Sequence, residues 1–236
     1  MTTFLWHPCE PSIQKIYKPV FLMNEDDSGR AQMFALGIPE KPLIEMCLKV
    51  MRRPEESTFI DIGAHMGAYS VLLSPHVKAV SAFEAQQRTF FQLCGNIFIN
   101  ELTNVTPTRV ALVSPPEAHS QKTLHIVSED GGGSTLIQPK STTVLRNELV
   151  KTRTLDNYRI YGDVGMIKID VEGYEYKVLL GASNTLKESN YPPILFESNS
   201  QNVDEELRVQ LEQWGYKTTK LPNFPNMFLA RQGEDL

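Results

Sequence analysis

The sequence predicts an α/β fold: a mostly parallel central sheet with helices on both faces and an antiparallel hairpin at the C-terminal end. Three observations carry this reading. Between residues 58 and 113 the apolar pattern alternates strand, helix, strand, helix, strand, which is the order of βαβ units. The short runs TFIDI and VGMIKIDV are apolar almost throughout, as strands covered on both faces are. The first of them runs directly into a turn flanked by Gly63 and Gly67, the strand-to-helix corner at which open parallel sheets bind ligands.

The elements follow in order. Residues 1–56 are punctuated by Pro8, Pro11, Pro19, Pro39, Pro42 and Pro54 and read as an N-terminal cap on a single domain whose core is 57–236. Within the cap, 25–29 (EDDSG) reads as a turn, and 41–53 as a helix with Leu43, Met46, Cys47 and Val50 at helical spacing. Strands are expected at 58–62, 79–83 and 105–113, with helices at 67–75 and 87–100 between them. The second of these helices is expected to turn Phe91, Leu93, Cys94, Ile97 and Phe98 inward. A β excursion follows, with strands at 123–127 and 150–155 around a glycine-rich turn at 129–134. The strand at 164–171 places Val164, Met166, Lys168 and Asp170 on one face by alternation. A helix at 174–180, a strand at 193–196 and a helix at 203–214 ended by Gly215 come next. Segments 216–220 and 227–230 close the sheet as an antiparallel pair, and Asn190-Tyr191-Pro192-Pro193 reads as a turn.

The 236 residues are 41% hydrophobic and 22% charged, enough apolar mass for a packed core. A net charge of −5 argues against a surface built to grip phosphate backbone, so no nucleic-acid partner is expected. No apolar run approaches the ~18 residues of a membrane helix, and the N-terminus lacks the basic-then-apolar order of a secretory signal. Cys9, Cys47 and Cys94 are too few and too scattered for a disulfide framework or a metal knuckle. Each reads as a small buried hydrophobe, and a reducing, cytoplasmic location is expected.

The sharpest motif is FIDIGAHMGAYS, residues 59–70, in which Asp61, Gly63, Ala64, His65, Gly67 and Tyr69 are candidate cofactor contacts. The second strand ends in Glu84, twenty-one residues after Gly63, where a carboxylate can accept hydrogen bonds from both hydroxyls of a ribose. His65 stands where a dinucleotide fold needs its middle glycine, so a pyrophosphate cradle is missing. S-adenosylmethionine carries no phosphate, and its cationic groups suit the acidic Asp61. No Walker A loop and no nucleophile elbow is present. Ser134, in the glycine-rich turn, is a further candidate contact to the adenosine.

The second motif is IKIDVEGYE, residues 167–175. Asp170 falls at the carboxyl end of its strand, Glu172 follows two residues on, and Glu197 ends the next strand. Methyl transfer to an alcohol needs a base, or a metal that lowers the alcohol's pKa. Asp170 and Glu197 could ligate Mg²⁺ or Mn²⁺, or could hydrogen-bond an acceptor hydroxyl directly, and both readings stay open. Lys168 reads as a buried cation paired with Asp170 or Asp61. Glu172 suits a helix N-terminus, Glu175 reads as a solvated helix residue, and His65 as a base, an acceptor contact or a helix N-terminal side chain.

These segments together resemble the FkbM family of S-adenosylmethionine-dependent methyltransferases. The carriers are FIDIGAHMGAYS, AFE ending at Glu84, the helix bearing Asn96 and Asn100, RTLD ending at Asp156, IKIDVEGYEYKVLLGA and ILFE ending at Glu197. The resemblance implies a class I, Rossmann-like methyltransferase fold and O-methylation of a sugar, glycan or polyketide hydroxyl. By position it implies cofactor contacts from Asp61, Gly63, Gly67 and Glu84, with Asp170, Glu172 and Glu197 lining the acceptor side. The residues themselves add Asp170 as a further candidate cofactor contact and Asp170, Glu172, Lys168 and His65 as the catalytic candidates. The sequence departs from the family pattern at His65, where Asn is common, and at Ala85, where Pro is common. A sugar or glycan acceptor is the first expectation. A small non-sugar metabolite and a cofactor-binding module without activity are the alternatives.

Overall fold

The computed structural model describes residues 4–6, 19–23, 40–198, 204–224 and 226–233. Cys9 and the expected turn at 25–29 lie outside them. Seven strands form the central sheet: β3 (Thr58–Ile62), β4 (Ala79–Glu84), β5 (Val105–Arg109), β9 (Val164–Ile169), β10 (Ile194–Glu197), β11 (Lys217–Lys220) and β12 (Met227–Arg231). Their order is β11-β12-β10-β9-β3-β4-β5. The five from β10 to β5 run parallel, whereas β12 pairs antiparallel with β10 and with β11. This is the expected mostly parallel sheet with its antiparallel C-terminal hairpin. The chain winds outward from β3 in one direction through β4 and β5, then returns to its other side at β9. The carboxyl ends of β3 and β9 therefore form the switch point at which α/β sheets leave a crevice.

Two apolar layers cover the sheet. On one face, α1 (Lys41–Val50), α2 (Ala68–Leu73) and α3 (Gln87–Ile99) bury Leu43, Cys47, Val71 and Leu93 against Phe59, Val80 and Met166. On the other, α4 (Glu175–Leu180), α5 (Ser183–Glu188) and α6 (Glu205–Gln213) bury Val178, Leu186 and Leu211 against Ile60, Ile167 and Phe196. The residues expected at 41–53 as one helix divide at Met51, whose extended backbone ends α1. Helix α5 was not expected. Asp156, in the RTLD segment, caps it by accepting hydrogen bonds from the backbone of Asn184 and Thr185.

Two short strands, β1 (Phe4–Trp6) and β2 (Phe21–Met23), pair antiparallel. Asn96 of α3 and Asn100, just past its end, stitch β2 and the residue before it to the core. Their side-chain oxygens accept from Leu22 and Val20, and the Asn96 amide donates to the carbonyl of Met66 in the first motif. Helix α3 corrects an expectation: Leu93 and Ile97 are buried, but Phe91 and Phe98 face outward, 61% and 81% exposed. A 3.6-residue period carries only one stripe, and five apolar positions are wider than the stripe that the sheet covers.

The β excursion is a three-stranded sheet of β6 (Ala111–Leu112), β7 (Gln121–Ile126) and β8 (Arg146–Arg153). The strand expected at 105–113 breaks at Val110, so that β5 stays in the main sheet while β6 pairs with β8. A second break corrects the alternation expected along β9. The register with β3 shifts at Gly165, so Val164 packs with the layer opposite to that of Met166. Glycine is required there, since a Cβ would stand 2.1 Å from Ser57 Oγ. Among the described residues no helix is long and apolar enough to cross a membrane. Cys47 is buried and Cys94 partly so, both as free thiols.

Candidate active site

A cavity of about 420 Å³ opens at the carboxyl ends of β3, β4 and β9, within the size range of small-molecule sites. One wall is apolar, from Phe83, Val110, Leu112, Leu124 and Leu136. The polar lining is Glu84, next to that wall at the tip of β4, together with Glu40, Lys168, Asp170 and Glu172.

The turn after β3 forms the floor. Gly63 adopts φ +74°, and its bare Cα lies so close to β9 that a Cβ would stand 1.7 Å from the carbonyl oxygen of Asp170. The backbone N–H groups of Gly63 and Ala64 donate to the carbonyl of Phe83 at the tip of β4. Gly67, at φ +89°, is the N-cap of α2 and has no side chain to cap it. Asp61 supplies the missing cap from the strand: Oδ2 accepts hydrogen bonds from the Ser70 backbone at 3.1 Å and hydroxyl at 2.6 Å. Asp61 is thus fully buried beneath the cavity and is not among the residues that line it. Burial raises its pKa.

Glu84 sits at the cavity wall, where Oε2 accepts from the His65 backbone and Oε1 from Gln86 and Thr89. Each carboxylate oxygen can accept two hydrogen bonds, so among the described residues Oε2 retains one lone pair toward the cavity. His65, at φ +52°, places its ring Nε2 2.7 Å from the carbonyl of Asp130. A carbonyl only accepts, so Nε2 carries the proton and the histidine holds the glycine-rich turn in place. The same turn is held by Glu172, whose Oε1 accepts from Gly133 N–H and whose carbonyl accepts from the Thr135 hydroxyl. Ser134 lines the cavity, but its hydroxyl lies 3.0 Å from Gln86 Oε1. Tyr69 donates from its hydroxyl to Glu40 at 2.6 Å, and its ring lies 5.1 Å from the ammonium of Lys168.

Charge is concentrated where β3, β9 and β10 end. Asp61 and Lys168 face each other across the β3–β9 register, and the Lys168 Nζ reaches Asp170 Oδ2 at 3.1 Å and the Gly63 carbonyl at 3.3 Å. Burial alone would push the Lys168 pKa down, but Asp170, Asp61 and Glu40 hold it above the ordinary range. Burial would raise that of Asp170, but the ammonium beside it and a hydrogen bond with Glu197 hold it low. Burial and the Asp170 charge push Glu197 up to about 8, so Glu197 carries the proton of that pair at neutral pH. Carboxylate oxygens of Asp170, Glu172 and Glu197 all lie within 4.8 Å of one another.

Glu175 corrects an expectation. It is buried, and its Oε1 accepts from the backbone N–H groups of Val171 and Gly173, bracing the loop that carries Asp170 and Glu172. Burial pushes its pKa up to about 7. Glu40 was not singled out from the sequence either. It precedes a proline-started helix, and nothing in its neighbourhood marks it as a cavity residue.

The family model of the methyltransferase FkbM domain matches residues 61–218, which holds every residue lining this cavity except Glu40. The chain is 25% identical over 203 residues to the hexuronic acid methyltransferase AglP of Haloferax volcanii, covering 83% of this chain and 78% of that protein. Among solved structures, a methyltransferase FkbM from Methylobacillus flagellatus superposes with a TM-score of 0.52 at 15% identity, over 94% of this chain and half (50%) of that one. The precorrin-6y C5,15-methyltransferase of Geobacter metallireducens superposes with a TM-score of 0.51 at 14% identity, over 83% of this chain and 90% of that one. The fold is therefore that of the class I, Rossmann-like methyltransferases, and the chain belongs to the FkbM methyltransferase family.

Proposed function

We propose that the protein is an S-adenosylmethionine-dependent O-methyltransferase acting on a hydroxyl of a sugar or glycan. The observation that carries this reading is that Lys168, Asp170 and Glu172 line the same cavity as the Gly63 turn and Glu84, with Glu197 beside Asp170 and Glu172. The family and the hexuronic acid methyltransferase relative support a methyl-transfer reaction and a sugar acceptor. The net negative charge still argues against a nucleic-acid acceptor. Two of the structural neighbours are a tRNA methyltransferase and a putative one, with which the chain shares 10% and 12% identity and only the fold.

The residues present fit the donor. The apolar wall takes an adenine ring, the remaining lone pair of Glu84 takes a ribose hydroxyl, and the acidic lining takes the positively charged groups. When bound, S-adenosylmethionine supplies an electrophilic methyl group on a sulfonium. Lys168 keeps Asp170 ionised, so Asp170 can accept a hydrogen bond from the acceptor hydroxyl and orient its oxygen. Asp170 and Glu172 together are the carboxylates onto which the hydroxyl proton passes. His65 and Glu172 hold the glycine-rich turn against the cavity.

A divalent cation fits this row poorly, although the three carboxylates are close enough to ligate one. The ammonium of Lys168 already stands beside Asp170, and the Asp170–Glu197 pair already holds a proton. The test is titration calorimetry with S-adenosylmethionine, then transfer of labelled methyl to a panel of sugars with and without a chelator. The expected result is saturable donor binding and chelator-insensitive transfer. Absence of donor binding at high micromolar concentration overturns the proposal.

The Glu197 proton gives a second test. A carboxyl whose pKa is raised on folding contributes stability that is complete below its unfolded pKa and is lost as pH rises through its folded one. The melting temperature should therefore fall as pH rises from about 4.5 to about 8 and level off above that. A loss of about 1 kcal/mol in a domain of this size lowers it by about 2–4 °C. In Glu197→Gln this part of the pH dependence disappears.

A further inference from the structure

The lining of the cavity is net negative, and stays so when the two positive groups and the one carboxylate of the donor are added. Four carboxylates line it, Glu40, Glu84, Asp170 and Glu172, and the one cation lining it among the described residues is Lys168. That cation is already committed. Its side chain is 6% exposed, its ammonium lies 3.1 Å from Asp170 and 3.3 Å from the Gly63 carbonyl, and the Tyr69 ring packs against it. Cations on the elements around the opening are engaged as well: Lys122 with Glu117 at 2.7 Å, and Arg88 and Arg146 with Glu129 at 3.1 and 3.3 Å.

This arrangement separates two kinds of oxygen nucleophile. A carboxylate acceptor is ionised at neutral pH and needs no base, but it needs a cation to offset its loss of water. A hydroxyl acceptor carries no charge, needs a hydrogen-bond acceptor to orient it, and needs somewhere for its proton to go. The polar lining of this cavity meets the second requirement and opposes the first.

We propose that the acceptor is an uncharged polyol methylated on a hydroxyl, and that Asp170 and Glu172 reject acceptors bearing a carboxylate, unlike the hexuronic acid in the name of the relative. This rests on the methyl-transfer reading above and narrows its acceptor. In the reaction the acceptor oxygen forms its bond to the methyl carbon as the carbon–sulfur bond breaks, with the electron pair staying on sulfur. The hydroxyl proton passes to the carboxylate wall. Glu172 is the specificity-determining residue. It is ionisable, it lines the cavity, and its structural hydrogen bond from Gly133 N–H can be kept by the oxygen of a glutamine.

The test uses three sugars that differ only at C6: methyl glucoside, methyl glucuronoside and methyl glucuronamide. The expected kcat/KM for the two neutral sugars exceeds that for the uronate by at least about tenfold, since like charges brought together across a site repel. High salt and Glu172→Gln should each narrow the gap. A ratio near one, or a preference for the uronate, overturns the proposal. Calorimetry with S-adenosylmethionine, run on the same protein, reports on the donor reading separately. If the donor binds and no sugar of either charge is methylated, the sugar acceptor and this inference both fall while the donor site stands.

Discussion

Replacing Gly63 with alanine is expected to unsettle the protein more than any other single methyl group would. The added Cβ would stand 1.7 Å from the Asp170 carbonyl oxygen and 2.8 Å from its carbon, both backbone atoms that cannot rotate away. The residue is also held at φ +74°, where a side chain adds strain of about 1–3 kcal/mol. Pushing β3 and β9 apart adds about 1–3 kcal/mol of overpacking. Because the clash falls on the residue that carries the acidic row, donor binding should be lost even at temperatures where the protein stays folded. Thermal melting and calorimetry check the two parts. Gly233→Ala is the control: it has a similar φ of +95° but nothing within 4 Å of the added Cβ. It should cost the strain alone and leave donor binding intact. Equal behaviour of the two variants would show that the close approach of Gly63 to β9 does not matter.

The second large effect is expected at Lys168. Lys168→Met keeps the length and apolar stem of the side chain and removes its charge. Breaking a buried ion pair from one side costs about 3–5 kcal/mol, because the partner is left uncompensated. Here two acids lose it, Asp170 and Asp61, and Asp61 Oδ1 has no hydrogen-bond partner among the described residues. Turnover should fall by about 10²–10⁴, the usual contribution of a positioned proton acceptor. The direction of the pH effect follows from Asp170. Its pKa is held low in the folded protein, so the stability it contributes is present above its unfolded pKa of 3.8 and is lost as pH falls. Without Lys168 that depression is gone, and the acid limb of the activity profile moves to higher pH. An unchanged acid limb, measured as kcat/KM against pH, would show that Lys168 does not set the charge of Asp170.

Much of this arrangement is legible from residue order alone, because it depends on local chemistry. Strand ends, the Gly63 turn and the two acidic tips are all short-range signals: a period of two, a glycine where φ must be positive, a carboxylate at a corner. The parts that are not legible depend on which way a side chain turns once the elements have packed. Asp61 reads as a ligand contact because it ends an apolar strand beside a glycine turn, yet its carboxylate points down onto Ser70 and caps a helix that has no cap of its own. Glu175 reads as solvated because helix N-termini are usually wet, yet it folds back to brace its own loop. Phe91 and Phe98 read as core because they are aromatic. Val164 shifts face because of one extra residue at Gly165, and a register break of that kind leaves only a glycine as its trace.

The switch point has a consequence for biosynthesis. Lys168 and the Gly63 carbonyl that it contacts are 105 residues apart in the chain. At ordinary elongation rates of about 5–20 residues per second, several seconds pass between the emergence of one and the other from the ribosome. During that interval β3 has no neighbour on its β9 side, and Asp61 has no counter-ion. The nascent polypeptide is therefore ligand-incompetent until late in translation, and the metabolite can reward only those molecules whose two halves have already met.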